Sequence, residues 1–328
     1  MFKLEVRKSD TTREVLSLPG DDLLSCLLSA GIDVSYSCRR GDCGQCSATL
    51  VSGSVESMNA SAPSRNGDEI FLCNVTACSD VVVRIPYFPE LDSIQSLRTP
   101  AKIHELSALG DWIVEVVLRL PPTQVFRYLP GQFVRITNKK RVTRSYSLSD
   151  VSAADSLIRM HVRRVSNGAF SDYLFCEAKE GDLLHLEGPH GHFFVQHKDQ
   201  ARKTIFLSTG TGIAPIYAIL KGLGSERMEA LGSISVYWGN RVQSDEYLGQ
   251  QLRALSSRCA FEYVSVFSQE SHDGPRYVQD VVAARHSDLS ESLVFACGNP
   301  AMIESARVLC QSLGLPEDRF RSDPFTSS

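Results

Sequence analysis

The chain has 328 residues and 36.2 kDa, 43% of its residues hydrophobic and 22% charged, a balance that indicates two or three globular domains and excludes disorder and fibrous repeats. Thirty-four basic against 38 acidic side chains leave a formal charge of −4, with no Lys/Arg block able to track a phosphate backbone, so nucleic acid is not an expected partner. No uninterrupted apolar run exceeds five residues, and residues 1–7 lack an apolar signal core; the expectation is a cytoplasmic protein with no membrane partner.

Alternation at Phe2, Leu4 and Val6, followed by the apolar run 15–18, predicts a hairpin. Leu23, Leu24, Leu27 and Leu28 repeat at i,i+4 behind Asp21 and Asp22, with Gly31 at a C-cap position, which predicts a helix with two acids in its first turn. A thiol-rich loop follows, then strand-like stretches at 48–51 and 81–85, giving a compact α+β module over residues 1–90. Pro86, Pro89 and Pro100 bracket the segment 87–95, which shows no period and reads as a linker. Alternation at Trp112, Val114, Val116, Leu118 and Leu120, with strand-like stretches at 133–136, 145–148, 157–165 and 183–186, predicts an antiparallel β-barrel of short strands over 98–199. After the polar stretch 196–203 the rhythm changes. Strands at 204–207, 234–238, 261–267 and 293–296 alternate with helices at 246–258 and 302–313, which predicts an α/β domain with a parallel sheet over 200–328.

Cys38-x4-Cys43-x2-Cys46, with Cys73 after 26 intervening residues, has the spacing of a plant-type [2Fe–2S] site. Gly41 and Gly44 would let the backbone curl and aim N–H groups at the sulfurs. A zinc site or four buried structural thiols are the alternatives, although a zinc ribbon would offer a second C-x-x-C. Cys78 competes with Cys73, but Cys73 ends the apolar run 70–72, as a ligand at a strand end should. Cys26, Cys176, Cys259 and Cys310 read as core thiols.

Arg144, Ser145, Tyr146 and Ser147 share one short strand, with Arg144 and Tyr146 on one face. Val162, Arg163, Arg164 and Val165 lead to Gly168, Ala169, Phe170 and Ser171, a glycine turn into a helix that could offer N–H groups to a pyrophosphate; a solvated Arg-rich strand and a plain turn are the alternative. Thr209, Gly210, Thr211, Gly212, Ile213, Ala214 and Pro215 lie between a strand and a helix, where a phosphate-binding turn belongs, without forming G-x-G-x-x-G. Cys297, Gly298, Asn299 and Pro300 end a strand at the expected ligand crevice, with a core thiol as the alternative for Cys297. Arg241, just past the second parallel strand, could accept a 2′-phosphate. His190 and His192 show no carboxylate partner at ligand spacing and read as turn residues. H-E-x-x-H and G-x-S-x-G do not occur, so zinc-protease and α/β-hydrolase chemistry lack their signatures.

Taken in order, the three motif sets resemble the ferredoxin–NAD(P)H reductase superfamily with an N-terminal plant-type ferredoxin. The stretches 87–91, 118–123, 186–189 and 321–325 look most like the CDP-6-deoxy-glucoseen reductases of dideoxysugar biosynthesis. The resemblance implies a β-grasp ferredoxin domain, a flavin-binding barrel and a nucleotide-binding domain. It implies that Arg144 pairs with the flavin phosphate, Tyr146 lies against the isoalloxazine and Ser147 hydrogen-bonds near N5. Val162 would offer backbone contacts, and Gly168, Ala169, Phe170 and Ser171 would bind the flavin pyrophosphate. Gly210, Thr211 and Gly212, with Pro215, would grip the NAD(P)H pyrophosphate. Cys297, with Gly298, Asn299 and Pro300, would lie beside the nicotinamide, and Phe325 would shield the flavin.

Implied cofactors are a [2Fe-2S] cluster, FAD and NADH, with NADPH open through Arg241. NAD(P)H gives a hydride and the cluster takes one electron at a time, so the flavin must stand between them. The implied acceptor is an iron–sulfur dehydratase that uses pyridoxamine phosphate (PMP). A reductase of an aromatic-ring dioxygenase or di-iron monooxygenase shares every cofactor motif, and a non-enzymatic zinc-binding module with a vestigial nucleotide fold is the third reading. Arg39, Arg40 and Asp42 mark the expected face for electrostatic docking.

Overall fold

The computed structural model describes residues 1–328 except 33, 37, 42, 59–63, 153–155, 271–273 and 327–328. The chain divides into two compact units, 1–92 and 93–327.

In the first unit, β1 (Phe2–Lys8) and β2 (Thr11–Ser17) form the hairpin, in register from Phe2 opposite Ser17 to Lys8 opposite Thr11. Helix α1 (Leu23–Ser29) follows. Asp22 is its N-cap, accepting the Ser25 N–H at 2.8 Å, and its first turn contains no acid. This corrects the expected placement of Asp21 and Asp22 inside the helix; a short carboxylate is worth more on an orphan first-turn amide than one position later. The sheet is completed by β3 (Ser47–Ser52), β5 (Glu69–Phe71) and β7 (Val81–Arg84), while β4 (Val55–Ser57) and β6 (Val75–Ala77) pair separately. Strand order is β2-β1-β7-β3-β5, with β7 parallel to β1 and antiparallel to β3. Leu23, Leu24 and Leu27 pack with Leu4, Val6, Leu50 and Val83, so the helix lies across the sheet in the β-grasp manner. The strands β4, β5 and β6 have three residues each, too short for alternation to register.

The second unit contains both remaining sheets. The first has β8 (Leu97–Gly110), β9 (Ile113–Arg119), β10 (Phe133–Thr137), β11 (Thr143–Ser147), β12 (Leu157–Arg163) and β13 (Leu183–His190) in the order β11-β10-β13-β8-β9-β12. Every ladder is antiparallel, and a bridge between Leu148 and Met160 joins the two edges into a barrel. Pro100 lies inside β8 opposite His185, before pairing with β9 begins at Lys102, so its missing N–H breaks no ladder on that side. Helix α2 (Ala169–Cys176) sends Phe170, Tyr173 and Leu174 into the barrel core.

His190 departs from the expected turn. It is buried at the end of β13 with Nε2 3.5 Å from Glu187, a pairing at i,i+3 that ligand-spacing arguments do not cover. His190 first, then Arg135 and Arg98, hold the Glu187 carboxyl down at about 2.

The other sheet is fully parallel. Strands β14 (Lys203–Thr209), β15 (Ser233–Asn240), β16 (Glu262–Phe267), β17 (Ser292–Gly298) and β18 (Phe320–Pro324) run in the order β16-β15-β14-β17-β18. Helices α3 (Ile213–Gly222), α4 (Ser225–Ala230), α5 (Gly249–Cys259), α6 (Val278–Arg285) and α7 (Pro300–Ser312) connect them. Separate cores cover the two faces, one built on Ile216, Trp238 and Leu252, the other on Tyr237, Val282 and Ile303. The predicted helix at 246–258 starts later because Glu246 turns its carboxylate to Arg253, Tyr263 and Ser265. Cys176 is not core, and Cys259 packs only from the margin of the parallel-sheet core. Each ends an amphipathic helix, Cys176 exposed and Cys259 half-buried, whereas Cys26 and Cys310 are buried. Among the described residues no helix is long and apolar enough to cross a membrane.

Edge strand β18 is tied down by Arg321. Its guanidinium meets both Asp199 carboxylate oxygens at 2.5 Å, with side-chain exposures of 14% and 4%. Arg321→Met strands a buried carboxylate and is expected to cost about 3 kcal/mol, the scale for breaking a buried pair. A melting midpoint within about 1 °C of wild type would contradict this.

Candidate functional sites

The first site lies in the ferredoxin-like unit. Cys38, Cys43 and Cys46 come from the loop after α1, and Cys73 from the single turn Leu72–Asn74 that follows β5. Pairing of Ser47 with Phe71 and a hydrogen bond from Leu72 N–H to the Cys46 carbonyl at 3.1 Å bring the last two together. The Cys38 thiol contacts those of Cys43 and Cys73, and Cys46 also contacts Cys73. These contacts hold Cys38 and Cys46 below the ordinary thiol range and push Cys43 and Cys73 above it.

Backbone N–H groups turn inward at the same point: Arg40 reaches Cys38 Sγ at 3.4 Å, Gly41 faces Cys73 and Gln45 faces Cys43. Gly41 adopts φ +83° to do so, beside Asn74, which a Cβ would meet at 3.2 Å. Four converging sulfurs ringed by N–H donors fit an anionic, thiolate-held cluster. Cys78 is exposed beside Glu56, away from this group. Arg39 and Arg40 are exposed, and Asp42 lies outside the described residues.

The second site lies in the unit 93–327, where the barrel meets the C-terminal ends of the parallel strands. On β11, Arg144 and Tyr146 are half-buried and Ser147 is buried. Tyr146 packs on Phe170 with ring centroids 5.5 Å apart, and burial pushes its hydroxyl well above the usual range. Arg144 donates to the Thr143 carbonyl at 2.7 Å. Gly168 caps α2 without a side-chain bond, so the first-turn N–H groups of Ala169, Phe170 and Ser171 have no partner within the helix. Side chains there serve the fold. Val162 and Phe170 are barrel core, and Ser171 Oγ accepts the Val165 N–H at 3.1 Å.

Thr209 leads into the turn Gly210–Gly212, which passes directly into α3. A Cβ at Gly212 would lie 2.3 Å from the Cys297 carbonyl oxygen, and one at Gly298, φ +122°, 2.6 Å from Thr209 Oγ1. Only glycines allow these two strand ends to touch. Asn299 donates its N–H to Thr209 Oγ1 at 2.9 Å and caps α7 through Ala301, with Pro300 in the first turn. Pro215 is buried in the first turn of α3, where a missing N–H costs no helix bond. Arg241 is exposed just beyond β15.

Register between β17 and β18 sets Cys297 opposite Asp323, and Ser147 Oγ donates to Asp323 Oδ2 at 3.3 Å. The structure thus joins Ser147, Cys297 and an acid that the sequence reading left unassigned. Burial pushes the Asp323 carboxyl up to about 7, against the pull of Ser147. The Cys297 thiol is raised well above its usual range by burial and then by Asp323. Phe325 donates its N–H to the Gly298 carbonyl at 2.7 Å, and its half-buried ring packs on the nucleotide-sheet core. Two other unassigned residues border the turn: Arg163 Nη1 lies 3.2 Å from where a Gly210 Cβ would stand, and Trp238 Nε1 donates to the Gly210 carbonyl at 2.9 Å. Arg163 had a visible signal in its charge beside the glycine turn, whereas Asp323 and Trp238 had none, because their neighbours are distant in sequence.

Three family profiles match the chain in order: "2Fe-2S iron-sulfur cluster binding domain" over residues 6–79, "Oxidoreductase FAD-binding domain" over 100–195 and "Oxidoreductase NAD-binding domain" over 206–308. The chain is 34% identical over 313 residues to the CDP-6-deoxy-L-threo-D-glycero-4-hexulose-3-dehydrase reductase of Yersinia pestis, covering 93% of each. It is 30% identical over 319 residues to reductase component 2 of the terephthalate 1,2-dioxygenase of a Comamonas species, covering 94% of this chain and 93% of the other. The solved cytochrome P450 reductase GcoB of Amycolatopsis shares the fold, with a TM-score of 0.76 at 24% identity over 99% of both chains. The chain belongs to the ferredoxin–NAD(P)H reductase superfamily with an N-terminal plant-type [2Fe-2S] ferredoxin domain, and is an oxidoreductase whose cofactors are that cluster, FAD and NAD(P)H.

Proposed function

We propose that the protein oxidises NADH and delivers single electrons to a PMP-dependent CDP-4-keto-6-deoxyglucose 3-dehydrase of dideoxysugar or O-antigen biosynthesis. The observation that carries this reading is the 34% identity along 93% of both chains with a reductase named for such a dehydrase. A second reading, the reductase component of an aromatic-ring dioxygenase or di-iron monooxygenase, draws support from the 30% identity to the terephthalate system.

In this reading residues 1–90 hold the cluster through Cys38, Cys43, Cys46 and Cys73, residues 98–199 hold FAD, and residues 200–328 bind NADH. Bound FAD supplies the exchange between a hydride and single electrons. Arg144 and the free first-turn N–H groups of Ala169, Phe170 and Ser171 after Gly168 take the flavin diphosphate. Tyr146 and the backbone of Val162 line the ring, and Ser147 offers its hydroxyl near the reacting edge. Gly210, Thr211 and Gly212, joined by Arg163, hold the NADH phosphates at the start of α3, which Pro215 stiffens. Cys297, with Gly298, Asn299 and Pro300, borders the nicotinamide; its buried, protonated thiol presents an uncharged surface. Phe325, held to Gly298, would shield the flavin face. Alignment rather than acid–base chemistry then governs the rate.

Turnover with NADH is expected when the PMP-dependent dehydrase and its CDP-sugar are supplied; inactivity with that pair, alongside turnover with an oxygenase, would favour the second reading. Initial rates with NADH should exceed those with NADPH at equal concentration. Arg241→Ala should lower kcat/KM for NADPH about tenfold, the scale of one lost charge-assisted contact, and equal loss with NADH would remove Arg241 from the 2′-position.

Asp323 retains its proton in the folded chain up to about pH 7 against a usual 3.8. The folded state therefore binds the extra proton across that window, and the stability present below it is lost as pH rises through about 7. Asp323→Asn should flatten the fall in melting temperature between about pH 4 and about pH 7, and an unchanged pH profile would contradict the assignment.

A further inference from the structure

One partly buried polar chain in the cleft has no part in the proposed relay. Glu115 on β9 and His161 on β12 belong to the barrel, while Tyr247 lies in the nucleotide half just before α5. His161 is buried; its Nδ1 stands 3.1 Å from the Tyr247 hydroxyl and its Nε2 3.5 Å from Glu115 Oε1. Arg159 reaches the other Glu115 oxygen at 3.3 Å. His161 and then Arg159 hold this carboxyl below its usual range, so it only accepts. Nε2 of His161 thus faces a carboxylate and Nδ1 faces the Tyr247 hydroxyl, and with the ring proton on Nε2 the phenol would donate to Nδ1.

Tyr247 stands where the nucleotide elements converge. Its ring meets Trp238 edge-on at 5.5 Å and His161 edge-on at 5.3 Å, and Trp238 in turn donates to the Gly210 carbonyl. Burial first of all keeps the phenol protonated, and Cys297 lies within electrostatic reach of it. The hydroxyl therefore ties a barrel strand to the aromatic pair under the phosphate turn, next to the thiol at the end of β17. Packed rings alone tolerate sliding, whereas a directional hydrogen bond in a low-dielectric setting does not.

We propose that Glu115 and His161 orient the Tyr247 hydroxyl across the boundary between the barrel and the parallel sheet, and that this bond fixes the nicotinamide subsite relative to the flavin subsite. Tyr247 is a positioning residue, acting through Trp238, Gly210 and Cys297; the inference rests on the cleft being the FAD and NADH site. Loss of the bond should slow hydride delivery more than it weakens NADH binding, because the reacting distance changes while the phosphate contacts remain.

The test uses the full-length, FAD-loaded chain as wild type, Tyr247→Phe and Glu115→Gln. Anaerobic rapid mixing with NADH reads the limiting rate of flavin bleaching and the apparent Kd. Protein carrying [15N]histidine, without NADH, reads the His161 tautomer, its resonance assigned by its loss in His161→Gln. Tyr247→Phe should lower the limiting rate about tenfold or more while Kd moves less than about threefold. In the wild type, His161 should carry its proton on Nε2, and its Nδ1 shift should change in Tyr247→Phe.

An unchanged limiting rate, a loss confined to Kd, or a proton on Nδ1 would overturn the proposal. If Tyr247→Phe does not retain FAD, Glu115→Gln takes its place, with a slowed limiting rate at near-constant Kd again expected and an unchanged rate again fatal. A wild-type protein that binds FAD yet is not bleached by NADH would overturn the proposed function instead, while the tautomer still reports on the pairing.

Discussion

Parallel pairing of β18 along the edge of β17 assembles the cleft. That register sets Asp323 opposite Cys297 and delivers the acid to Ser147 on the barrel, while Phe325 closes onto Gly298 one step later. An edge strand has partners on one side only, and this one carries few apolar side chains, so its position depends on the Arg321 to Asp199 pair as well as on the ladder. The same contact that steadies the C-terminal strand therefore holds reactive groups in place.

The two sites treat charge in opposite ways. In the cysteine pocket, four thiols share a small volume and backbone N–H groups converge on them, an arrangement that suits concentrated negative charge on sulfur. In the cleft, burial drives Asp323, Cys297, Tyr146 and Tyr247 toward their neutral forms. The cysteine pocket aims N–H dipoles at its sulfurs, whereas the cleft keeps its buried walls uncharged. Arg144 stands on β11 and Arg163 beside Gly210.

Local signals made much of this legible. Cys38, Cys43 and Cys46 lie within nine positions, and the turn at Gly210 and Gly212 sits between a strand and a helix whose apolar periods are plain. The three-residue strands β4 and β6 were not legible, because alternation needs more positions than they have, whereas β5 showed through the apolar run 70–72. Nor was β18, whose polar sequence becomes a strand only because β17 offers a free edge. Asp22 shifted from first turn to cap, and His190 acquired a carboxylate partner, for the same reason: hydrogen-bond satisfaction is settled by geometry a few residues wide.

The sequence by itself determined the order of the three modules, the clustering of the thiols and the glycine turns between strand and helix, since each rests on residue type at short spacing. Tertiary structure alone decided that Asp323 meets Ser147 and Cys297, that Arg321 finds Asp199, and that Glu115, His161 and Tyr247 form a chain. Those partners lie tens to more than a hundred residues apart in sequence, and only the closing of the barrel and the strand order of the parallel sheet bring them within reach of one another.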